Sequence, residues 1–100
     1  MDYTGILMTI LLLASPAPDD LPEPWKSLAM CESSLRPNVV SKTGKYHGLF
    51  QFDERSWQYV GGTGLPSRAS TREQFVRAKA LHKIQGWGAW PACSKKLGLN

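Results

Sequence analysis

Glu32 lies seven residues after Trp25, and Trp25, Leu28, Ala29 and Glu32 recur at i, i+3, i+4 and i+7. Wound into a helix, that spacing sets a carboxyl on an apolar stripe. A carboxyl drawn out of water with no cation beside it has a raised pKa and stays protonated near neutral pH. Such an acid can deliver a proton to a departing glycosidic oxygen. The same spacing also fits the solvated end of a short helix, so the choice rests on the other residues.

A two-carboxylate glycosidase needs a second acid about 5 to 9 Å from the first. Asp53 is the main candidate, and its position before Glu54-Arg55-Ser56-Trp57 is also that of a helix N-cap, which explains it without catalysis. Glu54 reads as a solvated surface residue and Glu73 as part of a capping box. His47 and His82 have no partner at metal or triad spacing, so the sequence implies neither a metal nor a cofactor. Cys31 and Cys93 form an isolated pair without CxxC spacing, which argues against zinc. A disulfide is favoured over two buried thiols, and it would place the protein in an oxidising compartment.

These residues need a scaffold to hold them. Pro24 suits the first position of a helix spanning Trp25 to Ser33. From Leu35 to Phe52 the pattern turns β-branched and aromatic around Ser41-Lys42-Thr43-Gly44-Lys45, which predicts an irregular loop or small hairpin. A second helix should start at the Asp53 cap, with Phe52 and Trp57 as a hydrophobic staple, and end at Gly61-Gly62. A third should run from Thr71 to Gln85, opened by the capping box Ser70-Thr71-Arg72-Glu73 and closed by Gly86. Arg72, Lys79 and Lys83 fall on one side of it; Phe75, Ala78, Leu81 and Gln85 fall on another. The tail Gly86-Trp87-Gly88-Ala89-Trp90-Pro91-Ala92-Cys93 then returns Cys93 towards the first helix.

A chain of 100 residues has room for one domain, and its net charge of +4 gives weak attraction to anionic polymers. No basic run with interleaved aromatics supports nucleic-acid binding. Ile6 to Ala14 is an apolar run of the length of a secretory h-region, although Asp2 and the lack of Lys or Arg before it are atypical. The expected organisation is residues 1–17 as a signal-like or anchor segment, 18–23 as a Pro-rich linker, and 24–98 as the catalytic domain.

Cys31-Glu32-Ser33-Ser34-Leu35-Arg36-Pro37-Asn38, followed by Ser41, Gly44 and Gly48-Leu49-Phe50-Gln51, resembles the signature of lytic transglycosylases. With Trp25, Ser56-Trp57, Gly61-Gly62, Arg72-Glu73-Gln74 and Gln85 through Cys93 added, the chain resembles the catalytic domain of actinobacterial resuscitation-promoting factors. That resemblance implies an α+β, mainly α, compact lysozyme-like fold with about three helices, a small β element and one disulfide, Cys31–Cys93. It implies cleavage of the β-1,4 bond between N-acetylmuramic acid and N-acetylglucosamine, with Glu32 as the acid and Gln51, Ser56 and Gln85 facing substrate. Tyr46 and Trp90 could offer flat faces to sugar rings or pack the core, whereas Trp57 and Trp87 read as core. Where the family has a Gly-rich stretch after the acid and a Tyr-Tyr pair before Gly-Gly-Leu-Gln, this chain has Ser33-Ser34-Leu35-Arg36-Pro37 and Tyr46-His47. The expected protein is a secreted or cell-wall-associated monomer acting on peptidoglycan strands, host- or phage-encoded. A cell-wall endopeptidase as partner stays open, as do a non-catalytic wall-binding module and a secreted signal.

Overall fold

The computed structural model describes residues 15–100; the apolar run Ile6 to Ala14, expected as leader or anchor, lies outside them. Among the described residues four α-helices, α1 (Trp25–Ser33), α2 (Glu54–Tyr59), α3 (Thr71–Gln85) and α4 (Pro91–Leu97), carry the architecture. The β element comprises two isolated antiparallel bridges, Val40 with His47 and His47 with Phe52. This is the mainly helical, disulfide-closed, lysozyme-like arrangement expected from sequence. No helix among the described residues is long and apolar enough to cross a membrane.

Local chemistry sets most of the boundaries. Asp53 Oδ1 accepts from Ser56 N at 2.7 Å to cap α2, and the Phe52 and Trp57 rings meet at 5.1 Å as the staple does. Ser70 Oγ accepts from Glu73 N at 3.0 Å to open α3, while the Glu73 carboxylate takes Arg77 Nε. At the start of α1 Pro24 stands at the N-cap, one position before the first helical position expected for it, and the Glu23 side chain before it serves the first turn: Oε1 accepts from both Ser27 Oγ and Ser27 N, and these bonds hold its pKa below the ordinary value. The fourth helix exceeds the three expected. Pro91 opens it at the position proline favours, and Gly98 closes it at φ +70.

The core joins all four helices to the loop between α1 and α2. Leu28 and Ala29 of α1, Leu49 and Phe50 of the loop, Trp57 of α2 and Ala78 of α3 are wholly buried. Gly62 follows α2 closely packed on the Trp57 ring, where a Cβ would come within 2.3 Å of Trp57 Cε2. Residues 18–23, read as a linker, contribute to this body: Pro18–Asp20 close a 3-10 turn and Leu21 is 4% exposed. Prolines favour extended chain, yet the buried Leu21 and the bond from Lys26 N to Pro22 O at 3.0 Å seat the segment.

Candidate active site

Glu32 occupies the last turn of α1, half-buried, because Leu28 and Ala29 press the same face of the helix into the core. Burial alone raises its pKa above the ordinary 4.5. Among the described residues no hydrogen bond or ion pair reaches its carboxylate, so nothing offsets the desolvation. Two ties fix the end of the helix around it. Cys31, its neighbour, is bonded to Cys93 of α4 across a Cα–Cα distance of 5.9 Å. Arg36 folds back to donate from Nε to Ser33 O at 2.8 Å. Ser34 and Leu35 then turn the chain in the left-handed region, at φ +57 and +59.

Opposite Glu32 stands the turn Gly48–Gln51, closed by paired bonds between His47 and Phe52 of 2.8 and 3.0 Å. Gln74, wholly buried in α3, anchors this turn: Oε1 accepts from Leu49 N at 2.7 Å, and Nε2 donates to Pro37 O and Ala69 O at 3.0 and 2.9 Å. Gly48, at φ +83, passes so close that a Cβ would fall 2.3 Å from Gln74 Oε1. Gln51 also turns at positive φ, and its Nε2 donates to Gly48 O at 3.0 Å. Trp90 Nε1 donates to Phe50 O at 3.0 Å, which ties the turn to the segment before α4.

Between these elements runs a furrow. Glu32, Tyr46, Gln51, Ala89, Trp90, Pro91 and Ala92 enclose a cavity of about 290 Å3. Tyr46, Gln51, Ala89 and Trp90 also wall the adjoining narrow part, where Asp53 and Ser56 join them. Ser56 in turn borders a further depression with Arg55, Tyr59 and Gln85. The three depressions adjoin through shared lining residues, the first two through Tyr46, Gln51, Ala89 and Trp90 and the last through Ser56, so the six candidate residues border a connected series with Glu32 in the first and Gln85 in the last. Their burial differs: Tyr46 is 39% exposed and offers part of its ring, whereas Trp90 is 4% exposed and acts as a wall with its N–H engaged. Trp57 is sealed in the core with Nε1 bonded to Thr63 O, and Trp87 is half-buried.

Asp53 borders the furrow, but one of its oxygens is held by the N-terminus of α2. His47 is buried with Nδ1 against Ser67 Oγ at 3.1 Å, and His82 packs its ring on Trp25 and Trp87, which makes both structural. A larger depression of about 670 Å3 lies elsewhere, between α1 and α4, lined by Lys26, Met30, Lys96 and Leu97 among others. The furrow has the stronger chemistry, since it alone of the two holds a desolvated acid facing polar side chains.

Sequence reasoning missed Ala89, Pro91, Ala92, Arg55 and Tyr59 as lining residues, and Gln74 as the anchor. Gln74 had a signal. It precedes Ala78 and Leu81 by four and seven residues on the buried stripe of α3, where an amide needs partners.

The model of the transglycosylase-like domain family matches residues 20–93. The chain is 48% identical over 87 residues to the resuscitation-promoting factor Rpf of Micrococcus luteus, covering 87% of this chain and 39% of that protein. It is 46% identical over 91 residues to resuscitation-promoting factor Rpf1 of Corynebacterium glutamicum, covering 87% and 45%. With resuscitation-promoting factor RpfC of Mycobacterium tuberculosis the identity is 37% over 93 residues, covering 93% and 62%. The chain thus spans between 39% and 62% of the length of these curated relatives.

Proposed function

The chain belongs to the transglycosylase-like domain family found in resuscitation-promoting factors, and from that premise we propose that it cleaves peptidoglycan glycan strands with Glu32 as its one catalytic carboxyl. The bond cut is the β-1,4 link between N-acetylmuramic acid and N-acetylglucosamine. One observation carries the proposal: a half-buried carboxyl with a raised pKa and no partner among the described residues, set in a furrow walled by polar and aromatic side chains. Protonated Glu32 donates to the leaving glycosidic oxygen, and the carboxylate left behind then serves as base. Asp53 is a poor nucleophile while it caps α2. The cationic sugar centre is therefore captured by the substrate's own acetamido oxygen and then by its 6-hydroxyl, which closes a 1,6-anhydro ring. Gln51, Ser56, Gln85 and Tyr46 contact the strand, and Trp90 shapes the wall beside the acid. The protein works as a secreted or wall-associated monomer in cell-wall remodelling, resuscitation or lysis, with a wall endopeptidase as a candidate partner.

Mass analysis of fragments released from purified peptidoglycan tests this. The native protein should release anhydro-muramic ends, one water lighter than hydrolysed ends. Glu32→Gln should lose about 10²-fold or more of the activity, and Asp53→Asn should keep an appreciable share because an amide oxygen still caps. Full activity in Glu32→Gln would sink the mechanism. Exclusively hydrolysed ends, with an inactive but folded Asp53→Asn, would move the second acid's role to Asp53. No fragments at all from the native protein would favour a wall-binding module.

A further inference from the structure

Beyond Ser56 the furrow opens into a depression of about 350 Å3 bordered by Arg55, Ser56, Tyr59 and Gln85. Among the side chains lining the furrow from the Glu32 end to this one, Arg55 is the cation; Lys45 is not part of the lining, and its Nζ lies over the Tyr46 ring, 5.4 Å from the centroid. It is exposed, and no ion pair engages it among the described residues. The acids along the furrow lie elsewhere: Glu32 at the far end, and Asp53 in the narrow middle with Oδ1 taken by Ser56 N. Tyr59, at 69%, is the most exposed large hydrophobic side chain among the described residues, and it borders this depression.

These groups have complementary uses. An exposed aromatic face covers the apolar face of a ring-shaped ligand, the planar guanidinium fork takes a carboxylate through two parallel hydrogen bonds, and the Gln85 amide can both donate and accept. We propose that Arg55, with Tyr59 and Gln85, forms a subsite for a sugar bearing a carboxylate, and that this subsite fixes the register of the strand over Glu32. The inference rests on the glycan-strand reading above. Muramic acid supplies the carboxylate in two ways, through its own lactyl group or through a peptide stem attached there. With Arg55 lining one end of the furrow and Glu32 the other, the strand gains a direction, because a neutral glycan could slide whereas an anionic anchor holds one sugar beside Arg55.

The test measures dissociation constants for three oligosaccharides of equal length. One is a neutral N-acetylglucosamine oligomer, one alternates N-acetylglucosamine with N-acetylmuramic acid bearing free lactyl groups, and one carries peptide stems. Binding is read on the full chain with Glu32→Gln, so that nothing is cut, with and without Arg55→Gln or Arg55→Lys. At low salt an acidic oligomer should bind roughly three- to tenfold tighter than the neutral one. Arg55→Gln should remove that preference, Arg55→Lys should keep part of it, and added salt should shrink it. Whichever acidic oligomer loses its advantage in Arg55→Gln identifies the carboxylate's source. Thermal midpoints matching the parent's verify that the exposed substitutions leave the fold intact. A preference that survives Arg55→Gln, or an equal loss for all three oligomers, overturns the subsite while the glycan reading stands. Failure of every oligomer to bind the parent protein overturns both.

Discussion

Replacing Gln74 by alanine should do more damage than replacing any exposed residue of α3, because it strands three backbone groups at once. Leu49 N–H loses its acceptor inside the core, and the carbonyls of Pro37 and Ala69 lose their donors at partly buried positions. An abandoned buried donor costs about 1–3 kcal/mol; with two half-sheltered carbonyls and the space left by the amide, the sum is roughly 3–5 kcal/mol. A domain of this size holds on the order of 5–10 kcal/mol in all. At about 4–8 °C per kcal/mol for such a domain, the melting midpoint should fall by roughly 12 °C or more. Gln74→Glu gives a companion measurement with a sign. One carboxylate oxygen can still accept from Leu49 N, but the other faces two carbonyl oxygens and needs a proton. The folded-state pKa of the new acid should therefore rise, so its stability relative to the native protein is best at acid pH and is lost as pH rises through that pKa. Calorimetric scans of the three proteins at pH 4 and pH 7 supply the numbers. A shift under about 4 °C for Gln74→Ala would refute the reasoning, as it would mean that the turn carrying Gln51 is held by other means.

Two further expectations concern the acid and its staple. Because burial raises the Glu32 pKa above 4.5, cleavage that needs the protonated form should decline on a limb lying above pH 4.5. Ionising Glu32 then costs stability, so Glu32→Gln should melt above the native protein at neutral pH and the gap should close below pH 4.5; an unchanged midpoint at both would contradict the burial argument. The Cys31–Cys93 bond spans 62 residues and constrains the unfolded chain by about 4 kcal/mol in the loop-entropy model, so reduction should lower the midpoint steeply. Coincident scans of oxidised and reduced protein would show that the bond adds nothing.

Features fixed by neighbours in sequence were legible, and those fixed by distant contacts were less so. Asp53 and Ser70 announce α2 and α3 because a cap and the N–H groups it serves lie within three residues. The helix Pro91–Leu97 escaped notice despite its proline, since seven residues give too little periodicity and the Cys93 tie seats it instead. The left-handed turn at Ser34 and Leu35 has no glycine to signal it. Glu32 could be placed on a buried stripe from spacing, but its lack of a partner could not, because partners come from the rest of the fold. Likewise the alignment of Ser56 with Gln85 depends on how α2 packs beside the end of α3, while Arg55 and Tyr59 look like ordinary surface residues until that packing is known.

The aromatic cluster beneath the furrow has an optical consequence. Trp25, Trp87 and Trp90 lie 4.9 to 6.3 Å apart, close enough for their indoles to exchange excitation. Trp57 stands outside that group, paired with Phe52 and bonded to Thr63 O. Of the four indoles Trp90 alone lines the furrow, so a strand bound there would be sensed first by the group to which Trp90 belongs.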